Sequence, residues 1–165
     1  MDFIDLDSLL VDRIGMSISE YFQKEGESAF RAIESNAIKE LCNSGQPGIV
    51  ALGGGALLNP ENKKRVEASG QVVCLSASEE TILANLKQQD DQRPLLNGDL
   101  QTRLKSLLQE RQQHYESFSQ INIDGLDIAQ VVSAIQLQLG RFHISGMNAG
   151  SDVFVQSGIL SQVGS

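Results

Sequence analysis

No apolar run in the 165-residue chain approaches the roughly 20 residues needed to cross a bilayer. No charged-then-apolar leader of the secretory kind is present either, so the sequence reads as cytoplasmic. Cysteine is scarce: Cys42 and Cys74 are the two in the chain, without CxxC spacing and in apolar surroundings. That reads as buried free thiols rather than a disulfide or a metal site. Positive charge is also short, with 13 basic against 21 acidic residues and a formal net charge of −8. This argues against nucleic-acid phosphate or an anionic membrane as partner. An anionic small molecule would have to be held by particular arginines against an unfavourable overall field.

What is present is enough for one domain with a core: hydrophobic residues make up 41% and charged residues 21%, ordinary values for a globular chain. The organising stretch is Gly48-Ile49-Val50-Ala51-Leu52-Gly53-Gly54-Gly55. Its apolar run has the length of a buried parallel strand. The glycines after it lack Cβ atoms, so a ligand can lie against the backbone where the strand ends. A flexible strand-to-helix turn explains the same residues.

Phe3-Ile4-Asp5-Leu6-Asp7 alternates at period two, which predicts a strand end with Asp5 and Asp7 on one face. Such a pair of carboxylates suits Mg²⁺ held through water and a substrate hydroxyl held or deprotonated; a solvated edge strand is the bland alternative. Ser17-Ile18-Ser19-Glu20 is a capping box opening a short helix that Gly26 ends. A helix from about 27 to 41 follows, with Phe30, Ile33, Ala37 and Leu41 on one face. There Arg31 has Glu27 at i−4 and Glu34 at i+3, the spacing of ordinary surface ion pairs.

Asn59-Pro60 predicts an N-cap and first helical residue, with Gly70 as the stop. A strand at 71–75, a helix capped by the Ser76-to-Glu79 segment, and a strand at 121–123 continue the alternation. Strand alternating with helix implies a mostly parallel sheet. Residues 87–99 are polar and contain Arg93-Pro94-Leu95-Leu96, the composition of either a lid carrying an arginine to a phosphate or an ordinary surface loop. A long helix from Asp99 to about Phe118 has an apolar stripe of Leu100, Leu104, Leu107, Leu108, Tyr115 and Phe118. Arg111 falls on that stripe, where it needs an internal partner such as Asp7 or an anionic ligand; His114 lies off it and reads as solvent-facing. A closing helix at 127–139 turns Ile128, Val131, Val132 and Ile135 inward before Gly140. Beyond it the composition changes, and Val153-Phe154-Val155 predicts one strand.

In combination and order, Phe-Ile-Asp-Leu-Asp, Gly26-Glu27 with Phe30-Arg31 and Glu34, Gly53-Gly54-Gly55, Arg93-Pro94-Leu95-Leu96, and Glu110-Arg111 with Tyr115 resemble shikimate kinase. The resemblance covers residues 3–139. It implies an α/β fold of the P-loop nucleoside-monophosphate-kinase type, with a parallel sheet of order 2-3-1-4-5 flanked by helices. It also implies transfer of the ATP γ-phosphate to shikimate, giving shikimate 3-phosphate. By this likeness Asp5 helps hold Mg²⁺, and Asp7 contacts and assists the attacking hydroxyl. Arg31 and Arg111 clamp the substrate carboxylate over Gly53, Gly54 and Gly55, and Arg93 reaches the phosphates from a lid. The family's loop GxxxxGK[ST], expected before Phe3, is not found, and no Gly-Lys-Ser/Thr occurs anywhere in the chain. Its nearest echo, Gly146 to Ser151, lacks the lysine. The expectation is a kinase-like domain at 1–140 without its P-loop strand 1, weak or inactive alone and marginally stable unless a strand such as Val153 to Val155 fills the centre. A shikimate-binding module without nucleotide chemistry is the alternative; a gluconate kinase fits the clamp residues less well. The tail from Asp152 to Gly164 resembles the opening of a 3-dehydroquinate synthase, so residues 141–165 read as a linker and the start of a second domain.

Overall fold

The computed structural model of the chain describes residues 2–46, 48–88, 100–145 and 150–154. Strand β1 (Asp2–Asp5) runs into helix α1 (Leu6–Ile14), and α2 (Ile18–Glu25) and α3 (Glu27–Ser44) follow. Then come β2 (Gly48–Ala51), α4 (Pro60–Ser69), β3 (Val73–Ser76), α5 (Glu79–Gln88) and α6 (Leu100–Glu116). Strand β4 (Ser119–Asn122), α7 (Ile128–Gln138), β5 (Arg141–Ser145) and β6 (Gly150–Phe154) complete the order.

The alternation Phe3-to-Asp7 does not continue as a strand. Asp5 ends β1 and caps α1, its carboxylate accepting from the Ser8 N–H at 2.9 Å. Asp7 therefore lies in the first helical turn, where a negative charge meets the positive end of the helix dipole. The stronger local signal was helical: Leu6, Leu9, Leu10 and Ile14 recur at helical spacing, and Gly15 stops the helix at φ 68°. The capping box at Ser17, the Asn59-Pro60 start and the Gly26 stop are seen as expected.

Strands pair as β1 with β2 and β3 with β4, both parallel, with Phe3 opposite Ile49 and Leu75 opposite Ile121. No ladder joins the two pairs among the described residues, so the two parallel pairs stand separate. This also corrects the expectation of a buried β2: all four of its residues are exposed, Ile49 by 52%. A two-stranded ribbon has no neighbouring strand to cover its free edge, and no described layer covers its outer face. The tail strand does not fill the gap either, because β6 pairs antiparallel with β5 in a hairpin. The expected single strand near Val153 is one arm of that hairpin.

The core lies between α1, α3 and the segment after the glycines. Leu6, Leu10, Phe30, Ala37, Ile38 and Ala56 are buried together, with Leu9, Tyr21, Phe22 and Val66 packed around them. Full burial of a side chain such as Leu10 contributes about 1.5–3 kcal/mol. In α7 the expected inward face is only partly so: Val131 and Ile135 are half-buried, whereas Ile128 and Val132 are exposed. Cys42 and Cys74 are free but half-buried rather than buried; burial pushes the Cys74 thiol up. Among the described residues no helix is long and apolar enough to cross a membrane.

Candidate functional site

Each of the three glycines after β2 faces a different side chain. A Cβ on Gly53 would lie 3.3 Å from Asp7 Oδ1. One on Gly54 would lie 3.1 Å from the Tyr115 hydroxyl, and one on Gly55 2.7 Å from Arg31 Nη2. The stretch thus collects a carboxylate from α1, a guanidinium from α3 and a phenol from α6 around one piece of bare backbone. Its own shape is held by turn bonds from Ala56 N–H to Gly53 O and from Leu58 N–H to Gly55 O. Asn62 braces it from α4, donating to Ala56 O at 3.0 Å and to Ser35 Oγ at 3.0 Å.

Arg31 is not an ordinary surface ion pair. Its Nη1 donates to Glu34 Oε2 at 2.8 Å, and Glu34 is only 2% exposed. Glu27 is a looser, exposed partner at 3.4 Å. Burial pushes the Glu34 carboxyl above the usual carboxylate value; the Arg31 hydrogen bond and charge pull it back, and Asp7 nearby adds to the rise. One end of Arg31 is therefore anchored on a buried carboxylate while Nη2 stands against Gly55. A second anion at that end would be held in the planar, bidentate way that suits a carboxylate. Glu34 was visible in the sequence as an i+3 partner; its burial depends on α3 packing against α1 and was not.

Arg111 is half-buried on α6, one turn before Tyr115 and on the same face, as the stripe predicted. The Tyr115 hydroxyl donates to Gly54 O at 3.0 Å, so α6 is tied to the glycine stretch. His114 is not simply solvent-facing. It packs edge-on against Phe118 with ring centroids 5.1 Å apart, and burial, then Lys63 and Arg111, lower its pKa.

Asp5 and Asp7 are both exposed, but the turn from strand to helix separates their roles. Asp5 Oδ1 is occupied as a helix cap, whereas Asp7 stands over Gly53. Among the described residues no group of three or more His, Cys, Asp or Glu side chains is gathered for a metal. Arg93 and the Asp99 cap lie outside the described residues.

A family model described as shikimate kinase matches residues 1–139. A shikimate kinase of Thermodesulfovibrio yellowstonii is 42% identical over 136 residues, covering 81% of this chain and 78% of that protein. One of Thermus thermophilus is 36% identical over 143 residues, covering 86% and 77%. Among solved structures, the shikimate kinase of Acinetobacter baumannii in complex with shikimate superposes with a TM-score of 0.74 at 30% identity, covering 84% of this chain and 78% of that one. With a family model matching residues 1–139 and relatives of this similarity along most of its length, the chain belongs to the shikimate kinase family.

Proposed function

We propose that the Gly53–Gly55 face holds the shikimate ring, with Arg31 and Arg111 on its carboxylate and Asp7 on the hydroxyl that attacks the ATP γ-phosphate. The family's activity is ATP-dependent phosphorylation of shikimate. The observation that carries the residue assignment is the convergence of Asp7, Arg31 and Tyr115 on three consecutive glycines. Phosphoryl transfer asks for positioning and charge neutralisation more than for covalent chemistry. Arg31, held on one side by Glu34, meets a carboxylate without first losing its geometry. Asp7, exposed over Gly53, accepts a hydrogen bond from a ring hydroxyl lying on that face and takes its proton as the phosphoryl group is transferred.

Mg²⁺ fits the residues present. Two exposed carboxylates two residues apart are hard oxygen donors, and Mg²⁺ is commonly bound by one or two carboxylates with substrate phosphates and water. Asp5 would hold it, keeping Oδ1 on the Ser8 N–H. The ion supplies neutralisation of phosphate charge. Arg93 is assigned to the phosphates in this reading by the family resemblance alone.

The 165 residues contain no Gly-Lys-Ser/Thr, and that observation favours a second reading: on its own this chain binds shikimate but turns ATP over weakly or not at all. Residues 141–165 begin a separate unit related to 3-dehydroquinate synthase. Support comes from the family match, which ends at residue 139, and from the self-paired β5–β6 hairpin. A cytoplasmic location completes the proposal.

Calorimetric titration of shikimate into the chain, and into Arg31→Ala and Arg111→Ala, tests the clamp. Each arginine removed is expected to weaken binding about 10- to 100-fold, the worth of a charged hydrogen bond. Unchanged affinity in both variants overturns the clamp. Ordinary shikimate-dependent ADP release by the 165-residue chain overturns the second reading.

A further inference from the structure

We propose that the Tyr115 hydroxyl is a positioning group for shikimate: it sets the glycine platform and, through α6, the place of Arg111 relative to Arg31. The inference rests on the reading of Gly53–Gly55 as shikimate-facing.

Tyr115 Oη donates to the Gly54 carbonyl at 3.0 Å across 61 residues of sequence. The contact lands on the middle glycine, between Gly53 beside Asp7 and Gly55 beside Arg31. Three consecutive glycines are the most conformationally free backbone a chain can present. A platform built from them needs a tether, and this hydrogen bond supplies one from outside the turn. Oη also occupies the space beside Gly54, since a Cβ there would stand 3.1 Å from it.

The same bond acts on the clamp. Arg31 belongs to α3 and Arg111 to α6, which precede and follow the long stretch from β2 to α5. Arg111 and Tyr115 are one turn apart on α6, so where the phenol is pinned, the guanidinium is placed. A second tie lies next to it. Lys63 of α4 donates to Ser117 Oγ at 2.8 Å, and its Nζ stands 4.7 Å from the Phe118 ring centroid. That tie holds the end of α6 to α4 without touching the glycines, which separates docking of the helix from setting of the platform.

Tyr115→Phe removes only Oη, and Lys63→Met removes the second tie together with the Lys63–Glu67 ion pair inside α4. Calorimetric titration of shikimate into the 165-residue chain is expected to show Tyr115→Phe binding about three- to tenfold more weakly, with Lys63→Met within about twofold of the parent. In the ligand-free chain, amide exchange at residues 53–56 is expected to accelerate in Tyr115→Phe and not in Lys63→Met. The double variant Arg111→Ala/Tyr115→Phe is expected to lose less than the two single losses combined, because part of the tyrosine's effect acts through Arg111. Tyr115→Phe that binds like the parent while melting earlier overturns the inference and leaves the hydroxyl a fastener. So do additive losses in the double variant, or equal losses in Lys63→Met. A parent chain that fails to bind shikimate overturns the platform reading itself and the inference with it, a result distinct from each of these.

Discussion

Before Gly70, the buried residues Leu6, Leu10, Phe30, Ala37, Ile38 and Ala56 form one cluster, and α1, α3 and α4 pack around it. After Gly70, Leu104 and Ile121 are the buried hydrophobics among the described residues, while Leu75, Ile128, Val132 and Leu137 are exposed. The first region is a small core with a site on its rim. The second is the β3–β4 pair, the β5–β6 hairpin and three helices, and Tyr115 and Lys63 make polar contacts between it and the first. Asp7, Arg31 and the glycine stretch, proposed above to face substrate, lie where the core is firm, which suits a site that must hold a carboxylate and a hydroxyl in fixed relation. Among the described residues the β1–β2 and β3–β4 pairs each keep free edges, and unpaired backbone groups of this kind cost about 1–3 kcal/mol each when buried.

The sharpest way to break this contrast is to hollow each region in turn. Leu10→Ala is expected to cost about 2–5 kcal/mol in urea unfolding, through lost burial and a cavity in the cluster. Ile128→Ala, on a side chain 84% exposed, is expected to fall within about 0.5 kcal/mol of the parent. Equal losses would mean that both regions share one core.

Arg31→Ala comes next. Besides weakening shikimate binding, it leaves the buried Glu34 without its cation, and a loss of about 1–3 kcal/mol is expected in the same unfolding measurement. A variant as stable as the parent would show that Glu34 needs no partner.

Glu34 also gives a pH test. Its folded pKa lies above the 4.5 of the ordinary carboxyl because burial disfavours the charged form. The stability it contributes is therefore fully present below that ordinary value and is lost as pH rises through the folded one. Glu34→Gln keeps a hydrogen-bonding group of similar size and removes the titration. Urea midpoints across that range are expected to fall with rising pH more in the parent than in the variant; parallel curves would refute the assignment.

The smallest effect belongs to His114, where the two regions meet. Burial, then the charges of Lys63 and Arg111, depress its pKa below 6.5. Its contribution is present above that value and is lost as pH falls through the depressed one. His114→Asn is expected to remove a shallow acid-side loss of stability at this contact, visible as a flatter thermal-midpoint profile.

Much of this was legible in the residues. Caps at Ser17 and Asn59 carry their partners within three residues, so local hydrogen bonding fixes them wherever they sit. The Arg111–Tyr115 face followed from helical spacing alone. Where the reading failed, two local patterns competed or a distant neighbour decided. Asp5 and Asp7 alternate like a strand, yet Asp5 also begins a helix whose leucines have a core to enter. Ile49, Val50 and Ile128 look like core residues, and they are exposed because burial is a property of the neighbour that covers them and not of the side chain.

By itself the sequence determined most of the elements from Ser17 to Leu139 and the caps at Ser17 and Asn59, and it supplied the residues proposed for substrate, because those depend on short-range spacing and residue type. Tertiary structure alone decided that Glu34 is buried beneath Arg31, that Asp7 stands over Gly53, and that Tyr115 reaches Gly54 across 61 residues. These are relations between segments far apart in the chain, and only packing around a shared core brings such segments to within a hydrogen bond of one another.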